Sequence, residues 1–305
     1  METTNPPWLL VSHGKQYSKQ IFYSVFDKRF HTRRVPDLRD KWVLASTYGW
    51  LATMDRDTAD CCLWNPASME KIDLPFLFRP FTYKRCFLSK PPNEPGCHVL
   101  FISLDFSRRA FCQVGDEEFV LQSSQNGDIS LCAVVSFQGK IYGLADPDYR
   151  IVTVHFVGKT LELRPIFTED GGQPLHICRP SRPWMSYYDN YLIESPCGEL
   201  LAVHKMFHNN YDFRVFRVDT NRKECIELEN IDNQAIFLSF MGTSFCCSST
   251  GGIKSNSIYY TIPKSRNLHI YDLDDRSTTF LLPCHSVKRA QTSTHWIEHR
   301  SFTKM

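Results

Sequence analysis

Between residues 131 and 166 the chain spells four strand-like runs in about 36 residues, and this period constrains its fold more than any other feature. The runs are 131–137, 140–145, 151–157 and 161–166, rich in β-branched and aromatic residues. Gln138-Gly139 and Asp146-Pro147-Asp148 punctuate them, residue types that set turns. A second copy follows at 191–195, 199–207, 213–219 and 224–228, with Pro196-Cys197-Gly198 as its first turn. Looser copies occupy 42–73, 84–122 and 245–282. Apolar residues at helical spacing rarely persist beyond one turn, so the chain reads as all-β.

Five such units span 42–282 at about 40 to 60 residues each, the spacing of propeller blades. Three strands precede them, at 8–13, 21–26 and 31–35, and a blade needs a fourth. The run left over is 293–297 at the far end, which predicts an innermost strand that closes the ring and abolishes exposed sheet edges. The expectation is a single β-propeller domain over 1–305 with six blades. Seven blades follow instead if 236–240 and 245–248 belong to different sheets. Two sandwiches fit less well, since no linker rich in Pro, Gly or Ser divides the chain.

Composition removes several function classes. The formal net charge of +2 leaves no global excess to drive binding to nucleic acid or anionic lipid. The 42% apolar and 22% charged fractions exclude collagen-like, disordered and coiled-coil classes. No apolar run approaches the roughly 18 residues of a membrane span. The apolar run at 8–11 is too short for a signal-peptide core, and no Asn-x-Ser/Thr sequon occurs. The expected setting is cytoplasmic or nuclear, not secreted, with the 12 cysteines as reduced thiols. Cys61, Cys132, Cys225 and Cys246 lie in apolar runs, where cysteine acts as a small hydrophobe. No Cys-x-x-Cys pair exists, which argues against a thiolate zinc site.

A series of short motifs lies in order along the chain. Pro7-Trp8-Leu9-Leu10 opens it, then Gly49-Trp50-Leu51, Trp64-Asn65-Pro66 and Ile72-Asp73-Leu74-Pro75. Phe137-Gln138-Gly139-Lys140-Ile141-Tyr142-Gly143 and Tyr191-Leu192-Ile193-Glu194-Ser195 with Leu200-Leu201 follow. Phe216-Arg217-Val218-Asp219, Ala235-Ile236-Phe237-Leu238 and Asn256-Ser257-Ile258-Tyr259-Tyr260 complete it. Together they resemble the plant KIB-type, kelch-like propeller family found at the C-terminus of many F-box proteins. That resemblance implies a protein-recognition module, without cofactor, like the substrate-binding half of a ubiquitin-ligase receptor. Receptors of the family carry an F-box of about 40 residues before the propeller, whereas here the first propeller motif begins at Pro7. The expectation is a protein partner and no direct binding of the F-box adaptor subunit.

Several motifs have structural readings. Asn65-Pro66 stops a strand, because proline lacks the amide hydrogen a ladder needs. Tyr142 and Tyr259 are expected in second strands with hydroxyls that reach a neighbouring blade. Glu194-Ser195 lacks a nucleophile elbow and reads as a strand end. His204 and His208 have zinc-like spacing, as do His295 and His299, but the glutamate base is missing from the first pair, which falls on a strand. Lys28, Arg29, Arg33 and Arg34 form either a nucleic-acid patch or a solvated strand. The alternative to recognition is a hydrolase or lyase with its site at the channel mouth, which needs convergent acids and bases on the innermost strands.

The segment 168–189 is the longest expected linker, and it carries Arg179, Arg182, Trp184 and Tyr187. Trp, Tyr and Arg dominate interface hot spots, and loops this long are usually functional. The competing reading has the aromatics plugging the space between two blades. In an up-and-down blade the second-to-third-strand loops and the inter-blade linkers share one face. With tight first-to-second-strand turns such as Gln138-Gly139, loop length is expected to accumulate there.

Overall fold

The computed structural model describes residues 7–77, 83–123, 129–146, 148–177, 189–207, 211–239, 243–262, 265, 267–281 and 292–297. Blade one contains β1 (Trp8–His13), β2 (Lys19–Ser24) and β3 (Arg29–Arg33); blade two is β4 (Lys41–Thr47), β5 (Trp50–Asp55), β6 (Cys61–Trp64) and β7 (Lys71–Asp73). Blade three is β8 (Tyr83–Leu88), β9 (His98–Ser103), β10 (Arg108–Gln113) and β11 (Val120–Ser123). Blade four is β12 (Ser130–Phe137), β13 (Lys140–Asp146), β14 (Arg150–Val157) and β15 (Thr160–Pro165). Blade five is β16 (Asp189–Glu194), β17 (Leu200–Phe207), β18 (Tyr211–Asp219) and β19 (Glu224–Leu228). Blade six holds β20 (Gln234–Leu238), β21 (Ser244–Ser248), β22 (Ser257–Tyr260), β23 (Leu268–Asp272) and β24 (Thr278–Leu281), and β25 (Thr292–Ile297) returns to blade one.

The inner strands are apolar on both faces because each blade is buried on both sides there. Successive residues of a strand point to opposite faces. Leu9 and Val11 accordingly pack toward blade six, while Leu10 packs toward blade two. In β9, Val99 and Phe101 face blade two, whereas Leu100 and Ile102 face blade four. Six apolar clusters result, one at each blade junction, and the remaining two hold Leu144 with Leu192 and Val203 with Ile236. Each fully buried Leu, Val or Ile contributes about 1.5–3 kcal/mol relative to exposure. Gly143 belongs to this packing, since a Cβ there would lie 2.5 Å from Leu131 Cδ1 and 3.0 Å from Val152 Cγ2.

Closure is made by the C-terminal strand. β25 pairs antiparallel with β1, Leu10 opposite His295, and supplies the innermost strand of blade one. Trp296 is fully buried, donates from its backbone N–H to Ser239 Oγ at 2.8 Å, and donates from Nε1 to the Leu238 carbonyl at 3.2 Å. The last strand thereby fastens blade one to blade six.

Blade six bears out the expected count of six. The parts of 236–240 and 245–248 that fall in β20 and β21 do not belong to different sheets: the two strands pair antiparallel in one five-stranded sheet, so the ring has six blades and not seven. β21 lies innermost, beside β16, and β20 is inserted between β21 and β22, parallel to β22. All five residues of β20 are buried, which demands neighbours on both edges and both faces.

The chain contains no α-helix among the described residues, and no helix there is long and apolar enough to cross a membrane. Asn65 ends β6 as expected, its Oδ1 accepting the Ala67 and Ser68 N–H groups at 2.9 and 3.2 Å. Tyr142 stands in a second strand, buried at the junction of blades four and five. Tyr259 departs from expectation. The inserted β20 makes its strand third in the sheet, and its hydroxyl stays in its own blade, accepting the Lys254 N–H at 2.7 Å.

A candidate recognition face and the buried charges beneath it

Alternating strand direction puts the inter-blade linkers and the second-to-third-strand loops at one end of the ring, except that the linker 229–233 runs to the opposite end, where β20 enters antiparallel to the innermost β21. The innermost strands β8, β12 and β16 start at the linker end, and two of them begin with an irregularity. The register shifts between Tyr83 and Arg85 in β8 and between Leu131 and Ala133 in β12, leaving Lys84 and Cys132 as bulge residues. A bulge re-aims what flanks it. Here it points the Cys132 carbonyl at Arg85, whose Nη1 donates to it at 2.7 Å and also donates to the Asn190 carbonyl of β16. One guanidinium therefore ties three neighbouring blades.

Its surroundings are low in dielectric and partly compensating. Arg85 is 6% exposed; its Nη2 lies 4.0 Å from Asp189 Oδ1, and its guanidinium sits 4.8 Å from the Tyr191 ring centroid. Asn190 Oδ1 can only accept, so the His204 imidazole, 2.5 Å away, carries its proton on Nδ1. Burial, with Arg214 adding to it, pushes the His204 pKa down to about 4. Lys205, buried next to it on β17, holds its Nζ 5.0 Å from the Tyr260 ring centroid. Such cation–aromatic contacts recover part of the cost of burying a charge. These groups fix the inner strands, and Asp189 stands where the long linker rejoins the ring.

The first half of that linker is tied back to the core at its end. Phe167 bridges to Pro174, and Arg150 to His176. The Leu175 N–H donates to the Ile166 carbonyl, and the Ile151 N–H to the Leu175 carbonyl, both at 2.7 Å. Leu175 and Ile177 are buried in the junction of blades four and five with Tyr149 and Leu192. Beside them Arg150 Nε donates to both carboxylate oxygens of Asp148 at 2.8 Å, and His176 Nδ1 donates to the Asp148 carbonyl at 2.9 Å. Burial, reinforced by the charge of Asp148, pushes the Asp146 carboxyl up.

Of the residues singled out from sequence, Arg179, Arg182, Trp184 and Tyr187 lie outside the described residues, as do His208 and His299. What plugs the junction in the described half of the linker is the alternating pair Leu175 and Ile177. Glu194 ends β16 and is exposed; Ser195 Oγ accepts the Glu199 N–H at 3.1 Å and so closes a turn. His204 and His295 are buried on strands. Lys28, Arg29 and Arg34 are exposed along the outer edge of blade one. Two first-to-second-strand connections, 89–97 and 249–256, are longer than the tight turns expected, so loop length is not confined to one end.

Sequence reasoning missed Arg85, Asp189 and Lys205. The available signal was charge at the start of an innermost strand and beside an apolar run, as in Tyr83-Lys84-Arg85-Cys86-Phe87-Leu88. The thiols of Cys61 and Cys112 are pushed up to about 12 by burial, and they share the junction of blades two and three with Cys97. Among the described residues no group of three or more His, Cys, Asp or Glu side chains is placed to hold a metal ion.

These features define a closed six-bladed propeller scaffold, charge-tied beneath the end where its linkers gather. The chain belongs to the KIB1-4 beta-propeller family, whose model matches residues 22–280. Comparison with curated proteins finds no match. Among solved structures, the chain is similar to the beta-propeller domain of Cps50 (Swd1) from Myceliophteria thermophila, at 11% identity and a TM-score of 0.42, over 90% of this chain and 79% of that one. It is also similar to apo AztD from Citrobacter koseri, at 8% identity and a TM-score of 0.37, over 96% and 98% of the two chains. Scores this low assign neither fold nor function.

Proposed function

We propose that this chain is a non-enzymatic protein-recognition propeller that presents its inter-blade linkers, above all 166–188, to a protein partner. The observation that carries the reading is how that linker is held. One end is packed into the core through Leu175 and Ile177, and the other enters β16 at Asp189, beside the Arg85 tie. Loops fixed on a rigid scaffold are where recognition is usually placed. The intervening residues include Arg179, Arg182, Trp184 and Tyr187, the types that dominate binding energy at interfaces. Family membership supports the reading, with a scaffold, a decoy or a ubiquitin-ligase receptor as the forms it takes.

The test is proximity labelling in plant cells with the wild type, an Arg179→Ala/Arg182→Ala double variant and Trp184→Ala, with melting temperatures measured on the purified proteins. Recognition through this linker predicts that the double variant loses a defined set of neighbours at unchanged melting temperature. If Trp184→Ala melts far lower while the arginine variant keeps every neighbour, the linker is a plug and the reading fails.

A further inference from the structure

Away from the linker end, blades five and six enclose a cleft of 580 Å³ on the flank of the ring, within the range of ligand-sized pockets. Its floor includes the apolar side chains of Phe213 and Leu273, both buried, and of half-buried Leu228. Tyr271, also in the floor, donates its hydroxyl to Asp212.

The charges on its walls are unevenly matched. Arg214 is already neutralised, donating from Nε to Glu227 Oε1 at 2.6 Å and from Nη2 to Oε2. Asp274 Oδ1 accepts only from neutral amides among the described residues, Asn230 Nδ2 at 3.1 Å and Asn256 Nδ2 at 2.7 Å. Glu229 is exposed, and among the described residues no cation forms an ion pair with it. Against Glu229 and Asp274 stands the single guanidinium of Arg276, exposed at the lip on the β23–β24 turn. An anionic guest would meet the two unmatched carboxylates Glu229 and Asp274, whereas a guest with an apolar stem and a cationic head satisfies both floor and rim. Lysine and arginine side chains have that form, and a guanidinium also matches carboxylates in a bidentate way.

We infer that this cleft receives a basic side chain, arginine in preference, from an extended segment of a partner protein. The inference rests on the recognition reading for its partner but not for its test. The full chain is titrated with the blocked tripeptide acetyl-Gly-Arg-Gly-amide at millimolar concentrations, with acetyl-Gly-Glu-Gly-amide as control, and amide resonances are followed by NMR. The arginine peptide shifts the resonances of Leu228, Tyr271 and Leu273; the glutamate peptide does not. Two exposed positions give opposite signs: Glu229→Gln weakens the peptide about threefold, and Arg276→Gln, by removing a like charge, strengthens it by a similar factor. No shifts with the wild type, equal binding of the glutamate peptide, or both variants moving affinity in the same direction overturns the inference. If the peptide maps to the cleft while the Arg179→Ala/Arg182→Ala variant keeps all its neighbours, the linker reading fails and the cleft stands. If the neighbours are lost but the peptide does not bind, the cleft alone fails.

Discussion

Arg85 donates to the carbonyl of Cys132, a residue that is itself the extra one in a β-bulge. The bulge releases that carbonyl from the regular ladder, and the long arginine of the preceding blade collects it together with the Asn190 carbonyl of the following one. A guanidinium suits this task because its donors point in fixed, separate directions. Hydrophobic contact alone sets the distance between blades but is non-directional. The arginine adds direction, fixing how three innermost strands start relative to one another.

Arg85→Met removes the charged donor shared by two buried carbonyls. The expected cost is about 3 kcal/mol, in the range for breaking a buried charged hydrogen-bond network. Arg85→Lys should recover only part, since a single ammonium does not reproduce the fork. Urea denaturation of the three proteins measures the order. A methionine variant as stable as wild type would reduce the tie to an incidental contact.

Two buried histidines make the fold acid-sensitive. Burial holds His204 at about 4 and His295 at about 3, against 6.5 when unfolded. Their folded pKa values are depressed, so between these limits the unfolded state binds more protons, and stability falls as pH drops below 6.5. Each histidine contributes a loss on the order of 2 kcal/mol by pH 4.5. His204→Gln keeps a donor for Asn190 but does not titrate, so the urea midpoint of this variant should fall less between pH 7.5 and 4.5 than that of wild type. Parallel pH curves would show that His204 is accessible to protons in the folded chain.

Ring closure makes the end of the chain indispensable to its beginning. Trp296→Ala empties a fully buried site and deletes the bond to Leu238, at an expected cost of about 4 kcal/mol. Ending the chain at Val287 is more severe. It removes β25 whole, exposes the edge of β1 and should drive aggregation. A truncated chain that stays soluble and melts at the full-length temperature would contradict a closed ring.

Blades four and five were legible strand by strand because turn chemistry punctuates them: Gln138-Gly139 joins β12 to β13, with positive φ at both residues, and Pro196-Cys197-Gly198 lies between β16 and β17. Closure was legible by counting, since three strands at one end and one at the other leave a single solution. The place of β20 was not. Residues apolar on both faces demand the interior of a sheet without saying which neighbours will flank them, and parallel pairing with β22 leaves no local mark. Arg85 was hidden for a related reason: its partners lie 47 and 105 residues away, and no local pattern encodes a convergence of three blades. The plug in the linker did carry a signal. Leu175 and Ile177 alternate with His176, the period of a half-buried strand, but Trp184 and the tyrosines drew the reading toward the other half.

That division of the linker gives the last prediction. Leu175 is 3% exposed, sits between blades four and five, and exchanges backbone hydrogen bonds with Ile166 and Ile151. Leu175→Ala keeps those backbone bonds but opens a cavity against Tyr149 and Leu192, at an expected cost of about 3 kcal/mol. Arg179→Ala, four residues on, should change stability by no more than about 0.5 kcal/mol if the linker has left the core by then. Urea midpoints of the two variants compare the halves directly. Equal and large losses would mean that the core runs past residue 177 and leaves less of the linker for a partner. A small loss at Leu175 would mean that the junction closes around the cavity and that the linker is anchored by its backbone alone.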